Sequence, residues 1–61
     1  MIIIYVHGDK EVGHTDLDWI PKIGTNIVLG SSEYRNNDLF YTITRIKKRT
    51  KDTLYMEVKP I

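Results

Sequence analysis

Hydrophobic and polar positions alternate most cleanly near the end of the chain. In TLYMEVK, Leu54, Met56 and Val58 alternate with Tyr55, Glu57 and Lys59. A strand with one buried face requires this period of two, because successive strand side chains point to opposite sides of a sheet. The run LFYTITRIKK predicts the strand before it, joined to TLYMEVK across the polar segment RTKD. Within that run Tyr41 and Ile43 are in phase and Ile46 is not, so a bulge or sharp bend near Thr44–Arg45 is expected to return Ile46 to the inner face. At the other end, MIIIYVHG is rich in β-branched and aromatic residues and stops at Gly8, which predicts a strand with apolar groups on both faces. Ile2, Ile4 and Val6 share one face, Ile3, Tyr5 and His7 the other, so something beyond the strand must cover the second. TNIVLG predicts a short strand with Ile27 and Leu29 toward the core. SSEYRNND predicts a polar loop with turn-forming Asn36, Asn37 and Asp38.

The stretch DKEVGHTDLDWIPKIG has no sustained period and is expected to be a loop. Thr15, with Asp18 three residues on, can cap one helical turn at most. Pro21 pushes Ile20 out of the helical region and ends any such turn. The elements together predict an all-β domain of four to five antiparallel strands over residues 1–61, rolled into a small SH3-like barrel, since strongly bent strands are what a small closed sheet needs. The runs IPKIGTNIVLG, FYTITRIKK and LYMEVKP also resemble a pattern in small uncharacterised bacterial and phage proteins. There a Pro-x-x-Gly turn feeds a strand, followed by Y-x-I-x-x-I and a closing strand. The resemblance covers roughly residues 20–60 and implies an SH3-like barrel and a phage- or mobile-element-type adaptor or inhibitor, not a particular activity.

Length sharpens this picture. A chain of 61 residues buries only about 60% of the surface it exposes when unfolded, so a partner subunit is an expected source of further burial. The absence of cysteine excludes disulfides, thiolate zinc sites and cysteine nucleophiles and suits a cytoplasmic setting. MIIIYV lacks the basic flank of a signal peptide and is far shorter than the ~20 apolar residues of a membrane span. The formal charge of +1 conceals a polarity: residues 1–38 carry six acids and three bases, residues 39–61 six bases and two acids.

Five of the seven residues from Arg45 to Lys51 are basic: Arg45, Lys47, Lys48, Arg49 and Lys51. On a hairpin tip they are candidate phosphate contacts for nucleic acid, which binds by counterion release, with Tyr41, Tyr55 or Phe40 as a stacking surface. Equally, lysines on an edge strand block sheet-to-sheet aggregation, and strict alternation would send Lys47 and Lys48 to opposite faces. The segment HGDKEVGHTDLD holds His7, Asp9, Glu11, His14, Asp16 and Asp18 but matches no zinc or calcium pattern, so no metal or other cofactor is expected. Ser31 and Ser32 do not form a nucleophile elbow. The glycines at 8, 13, 24 and 30 sit where turns are expected rather than in a phosphate loop. No enzymatic activity and no small-molecule substrate follow. Tyr5, Trp19 and Tyr55 are the candidate protein interface, since exposed aromatic residues anchor such contacts; the bland alternative for Trp19 is a cap over one open end of the barrel. The leading expectation is a module that binds another protein or a second copy of itself, with nucleic-acid binding by the basic hairpin as the alternative.

Overall fold

The computed structural model describes residues 1–29 and 39–61. Five strands form one sheet: β1 (Ile2–His7), β2 (Lys10–Asp16), β3 (Asn26–Leu29), β4 (Leu39–Arg49) and β5 (Thr53–Pro60). Their order is β2-β1-β5-β4-β3, and the sheet curls into a nearly closed barrel. Among the described residues there is no helix. The polar loop expected over SSEYRNND falls outside the described residues.

Three of the ladders are antiparallel; β1 and β5 run parallel, with Ile3 opposite Leu54 and Tyr5 opposite Met56. The parallel pair departs from the purely antiparallel expectation. A tight hairpin cannot make it: three other strands intervene between β1 and β5, and this long crossover brings β5 alongside β1 in the same direction. β5 thereby becomes the central strand, flanked by β1 and β4. Leu54, Met56 and Val58 are fully buried, as their alternation predicts.

The expected loop after β1 contains a strand. His7 pairs with Lys10, leaving Gly8-Asp9 as a two-residue turn with φ of 66° at Gly8. Glycine at the first central position gives the turn whose twist matches a right-handed hairpin. The strand that follows, KEVGHTD, is an edge strand, which is why it carries one apolar side chain, Val12, at a bulge between the Tyr5–Gly13 and Val6–Glu11 pairs. Gly13 therefore lies inside a strand rather than at a turn. Its missing side chain matters: a Cβ there would stand 3.0 Å from Leu29 Cδ2, so the absence of a side chain lets the two ends of the sheet approach. Among the described residues no ladder joins β2 to β3, and Leu29 over Gly13 is the point at which the barrel closes.

The bulge expected in β4 is present. Ile43 pairs with Val58 and Arg45 with Glu57, so Thr44 is the extra residue. Its hydroxyl donates to the Glu57 carbonyl at 3.1 Å, which keeps the disrupted ladder hydrogen-bonded. Ile46 then falls opposite Met56, on the inner face, yet remains 46% exposed. The reason is that β3 covers β4 only from Leu39 to Thr42. Past Ile43, which exchanges backbone hydrogen bonds with Gly24 and Thr25, no strand lies over that edge among the described residues.

The core comprises Ile3, Tyr5, Leu29, Tyr41, Ile43, Leu54, Met56 and Val58, with Val12, Leu17 and Ile27 packed against it. Tyr5 is thus a core residue, 4% exposed, which removes it from the expected protein interface. Burial raises its phenol pKa above the ordinary value by desolvating the charged form. A raised folded-state pKa means the unfolded chain gives up this proton first, so the associated stability is intact below about pH 10 and is lost as pH climbs from there through the folded pKa. Alkaline titration followed by tyrosinate absorbance should show the Tyr5 phenol ionising above the ordinary tyrosine range. In Tyr5→Phe, stability should depend less steeply on pH above that point; an unchanged dependence would assign the alkaline loss to other groups.

Candidate functional site

A second irregularity in β4 reshapes the basic hairpin. Ile46 pairs with Met56 and Lys48 with Tyr55, so Lys47 is also an extra, bulged residue. The bulge cancels the alternation that would separate the two lysines. Lys47 and Lys48 instead line one groove of about 190 Å³, together with Val6, Gly8, Asp9 and Tyr55. Val6 and Tyr55 lie on the outer face of β1 and β5, opposite the core, and give the groove an apolar floor. Ile3 and Tyr5 face the core, so the outward face of β1 is the one that carries Ile2, Ile4 and Val6, and the protein's own side chains bury it at Val6 but leave Ile2 45% exposed.

The five cations differ in how they are used. Arg45 donates from Nη2 to Glu57 Oε1 at 3.3 Å, across the β4–β5 ladder. Lys47 Nζ donates to the Gly8 carbonyl at 2.7 Å and stands 4.0 Å from Asp9 Oδ1, so it ties the β1–β2 turn to β4. Lys48 Nζ lies 6.0 Å from the centroid of the Tyr55 ring. Arg49 and Lys51 are exposed and have no ion pair among the described residues. Two of the predicted contacts are therefore engaged internally; Lys48 stands beside the half-buried Tyr55, while Arg49, opposite Leu54, and Lys51, in the turn, lie beyond the groove. The turn that follows is held by Thr50, whose backbone N–H and hydroxyl both donate to the Thr53 carbonyl, at 2.8 and 3.2 Å.

The acids and histidines of the first hairpin are dispersed. His14 Nδ1 and Glu11 Oε2 are 3.3 Å apart, and Asp16 Oδ1 meets the N-terminal ammonium at 3.2 Å. Among the described residues no three of His, Asp and Glu gather as metal ligands would. The candidate nucleophiles Ser31 and Ser32 lie outside those residues.

A different surface emerges from the segment between β2 and β3. Leu17 N–H donates to the Met1 carbonyl, Thr25 N–H to the Lys22 carbonyl, and Gly24 N–H to the Ile43 carbonyl at 2.8 Å, with φ of 93° at Gly24. Pro21 is buried. The loop is thus fastened at both ends and in its middle, yet Trp19 and Ile23 are each 60% exposed and Ile20 is 40% exposed. This exposure does not fit a Trp19 cap over the barrel. Sequence reading singled out Trp19 but not Ile20 or Ile23. The available signal was three large apolar residues within five positions of a proline-containing loop, where turn chemistry alone asks for polar ones.

A cleft of about 410 Å³ also opens along the seam between β2 and β3, lined by Tyr5, His14, Thr15, Leu17, Ile27, Val28 and Leu29. No helix among the described residues is long and apolar enough to cross a membrane. No known protein family, curated protein or solved structure matches the chain.

Proposed function

We propose that this chain is a non-enzymatic binding module that docks onto another protein, or onto a second copy of itself, through Trp19, Ile20 and Ile23. A cytoplasmic adaptor or inhibitor is the role this reading assigns. The observation that carries it is the pairing of a fastened backbone with outward apolar side chains. A loop held by Pro21 and by hydrogen bonds to β4 and the N-terminus loses little further freedom on binding. A tryptophan in such a position offers about 150–250 Å² of surface for burial, and tryptophan is over-represented among residues that dominate interface energies. Three large apolar groups left in water on so small a domain are costly unless a partner covers them.

Trp19 is the sole tryptophan, so its fluorescence reports this loop alone. Sedimentation of the pure chain tests self-association, and affinity capture from the native host tests a foreign partner, each with Trp19→Ser alongside. The variant should keep the wild-type melting temperature to within about 4 °C, as expected for a surface change of ~0.5 kcal/mol. It should lose the complex, and complex formation by the wild type should shift Trp19 emission to the blue. A complex that forms equally well with Trp19→Ser and leaves the emission unmoved would overturn the proposal.

A further inference from the structure

We infer that the groove between the β1–β2 turn and the β4–β5 hairpin binds an unpaired base of single-stranded nucleic acid. This site is separate from the Trp19 loop. Four features of the groove agree. Its floor, Val6 and Tyr55, is apolar and aromatic, and an aromatic face accepts any unpaired base by stacking. Its volume of about 190 Å³ is well below the roughly 300–1,000 Å³ of sites for drug-sized ligands and suits one planar ring system. Its charge is cationic where a phosphate would lie: Lys47 and Asp9 offset each other at 4.0 Å, which leaves Lys48 as the uncompensated charge of the lining, with Arg49 and Lys51 exposed further along the same hairpin for the phosphates of flanking nucleotides. Finally, Lys48 is only loosely engaged. At 6.0 Å from the Tyr55 centroid it stands at the outer limit of a cation–π contact, so it can turn toward a phosphate and uncover the ring with little loss.

The second bulge in β4 makes this arrangement. Without the extra residue Lys47, the two lysines would flank the strand on opposite sides and the groove would have no wall. The same geometry disfavours a duplex, whose bases are already stacked and cannot reach Tyr55.

The test is fluorescence anisotropy with a short labelled oligothymidylate, its RNA counterpart and a duplex of mixed sequence, each at about 50 and about 200 mM salt. Single strands should bind more tightly than duplex. With three phosphate contacts and a slope of about −0.7 per contact for single strands, affinity should fall roughly twentyfold between the two salt concentrations. Tyr55→Leu, which keeps the apolar bulk but removes the aromatic face, should weaken binding roughly five- to a hundredfold, whereas Tyr55→Phe should leave it unchanged. Lys48→Gln with Arg49→Gln and Lys51→Gln should flatten the salt dependence, and Trp19→Ser should have no effect. Absence of binding at the lower salt concentration would overturn the inference. So would equal affinity for duplex, equal affinity for polyglutamate, or indifference to Tyr55→Leu in a protein whose melting temperature is retained.

Discussion

Leu54→Ala should lower the melting temperature by at least about 10 °C and leave a substantial unfolded fraction at body temperature. Leu54 is fully buried on β5, the central strand, opposite Ile3 on one side and Arg49 on the other. Truncating a buried leucine removes its transfer energy and leaves a cavity, at a cost of about 2–5 kcal/mol. For 61 residues the whole stability, at ~0.05–0.15 kcal/mol per residue, is only about 3–9 kcal/mol. One such loss is therefore comparable to the total, and in a domain of this size each kcal/mol moves the midpoint by roughly 4–8 °C. Neighbouring strands cannot readily collapse into the gap, because β5 is bonded on both edges and its register is fixed. Thermal and urea unfolding followed by circular dichroism measure the effect, with Ile61→Ala, at a 73% exposed site, as the control that should stay within ~0.5 kcal/mol. A midpoint for Leu54→Ala equal to that of the control would mean that the sheet core lies elsewhere.

What the sequence disclosed and what it withheld follow from where each strand sits. β5 alternates because one of its faces is core and the other outward, and that asymmetry is written into LYMEV. β1 shows no such asymmetry: Ile2 to Val6 are apolar throughout, so periodicity could not say which side faced inward, and Tyr5 was assigned outward when it is in the core. β2 was unreadable as a strand because an edge strand with one apolar residue needs no alternation, although Gly8-Asp9 between His7 and Lys10 was a two-residue hairpin signal available from the residues alone. The parallel pairing of β1 with β5 depends on contacts distant in sequence and leaves no local trace.

The two bulges in β4 divide in the same way. The first was legible because Ile46 broke the phase of Tyr41 and Ile43. The second displaces a lysine between isoleucine and lysine, at positions where neither phase is apolar enough to be missed, and nothing in RIKKR marks it. That unmarked residue determines whether Lys47 and Lys48 are split or share a groove with Tyr55. The function-bearing part of the hairpin was thus visible in composition, while its geometry was not.

The seam between β2 and β3 sets the second large expectation. Gly13→Val should destabilise the domain by about 1–3 kcal/mol, the usual cost of forcing extra methyl groups into a packed site. Valine favours strands, so propensity alone predicts the opposite sign. Packing decides the outcome. Even a bare Cβ at Gly13 meets Leu29 Cδ2 at 3.0 Å and Cδ1 at 3.2 Å. Those atoms end a flexible side chain, so Gly13→Ala can be absorbed by a small shift of Leu29 and should stay within about 1 kcal/mol of wild type, helped by the smaller backbone entropy it loses on folding. The two further methyls of valine leave Leu29 nowhere to go except outward. Leu29 carries the end of a four-residue strand that, among the described residues, pairs with β4 alone, so the strain should be relieved by moving β3 away from β2 and admitting water to the seam. The decisive measurement is a double-mutant cycle with Leu29→Ala. If the two side chains collide as described, the pair Gly13→Val and Leu29→Ala should be more stable than the sum of the single changes predicts, by roughly 0.5–3 kcal/mol, the range for residues in contact. Strict additivity would show that the barrel closes somewhere other than where Leu29 crosses Gly13.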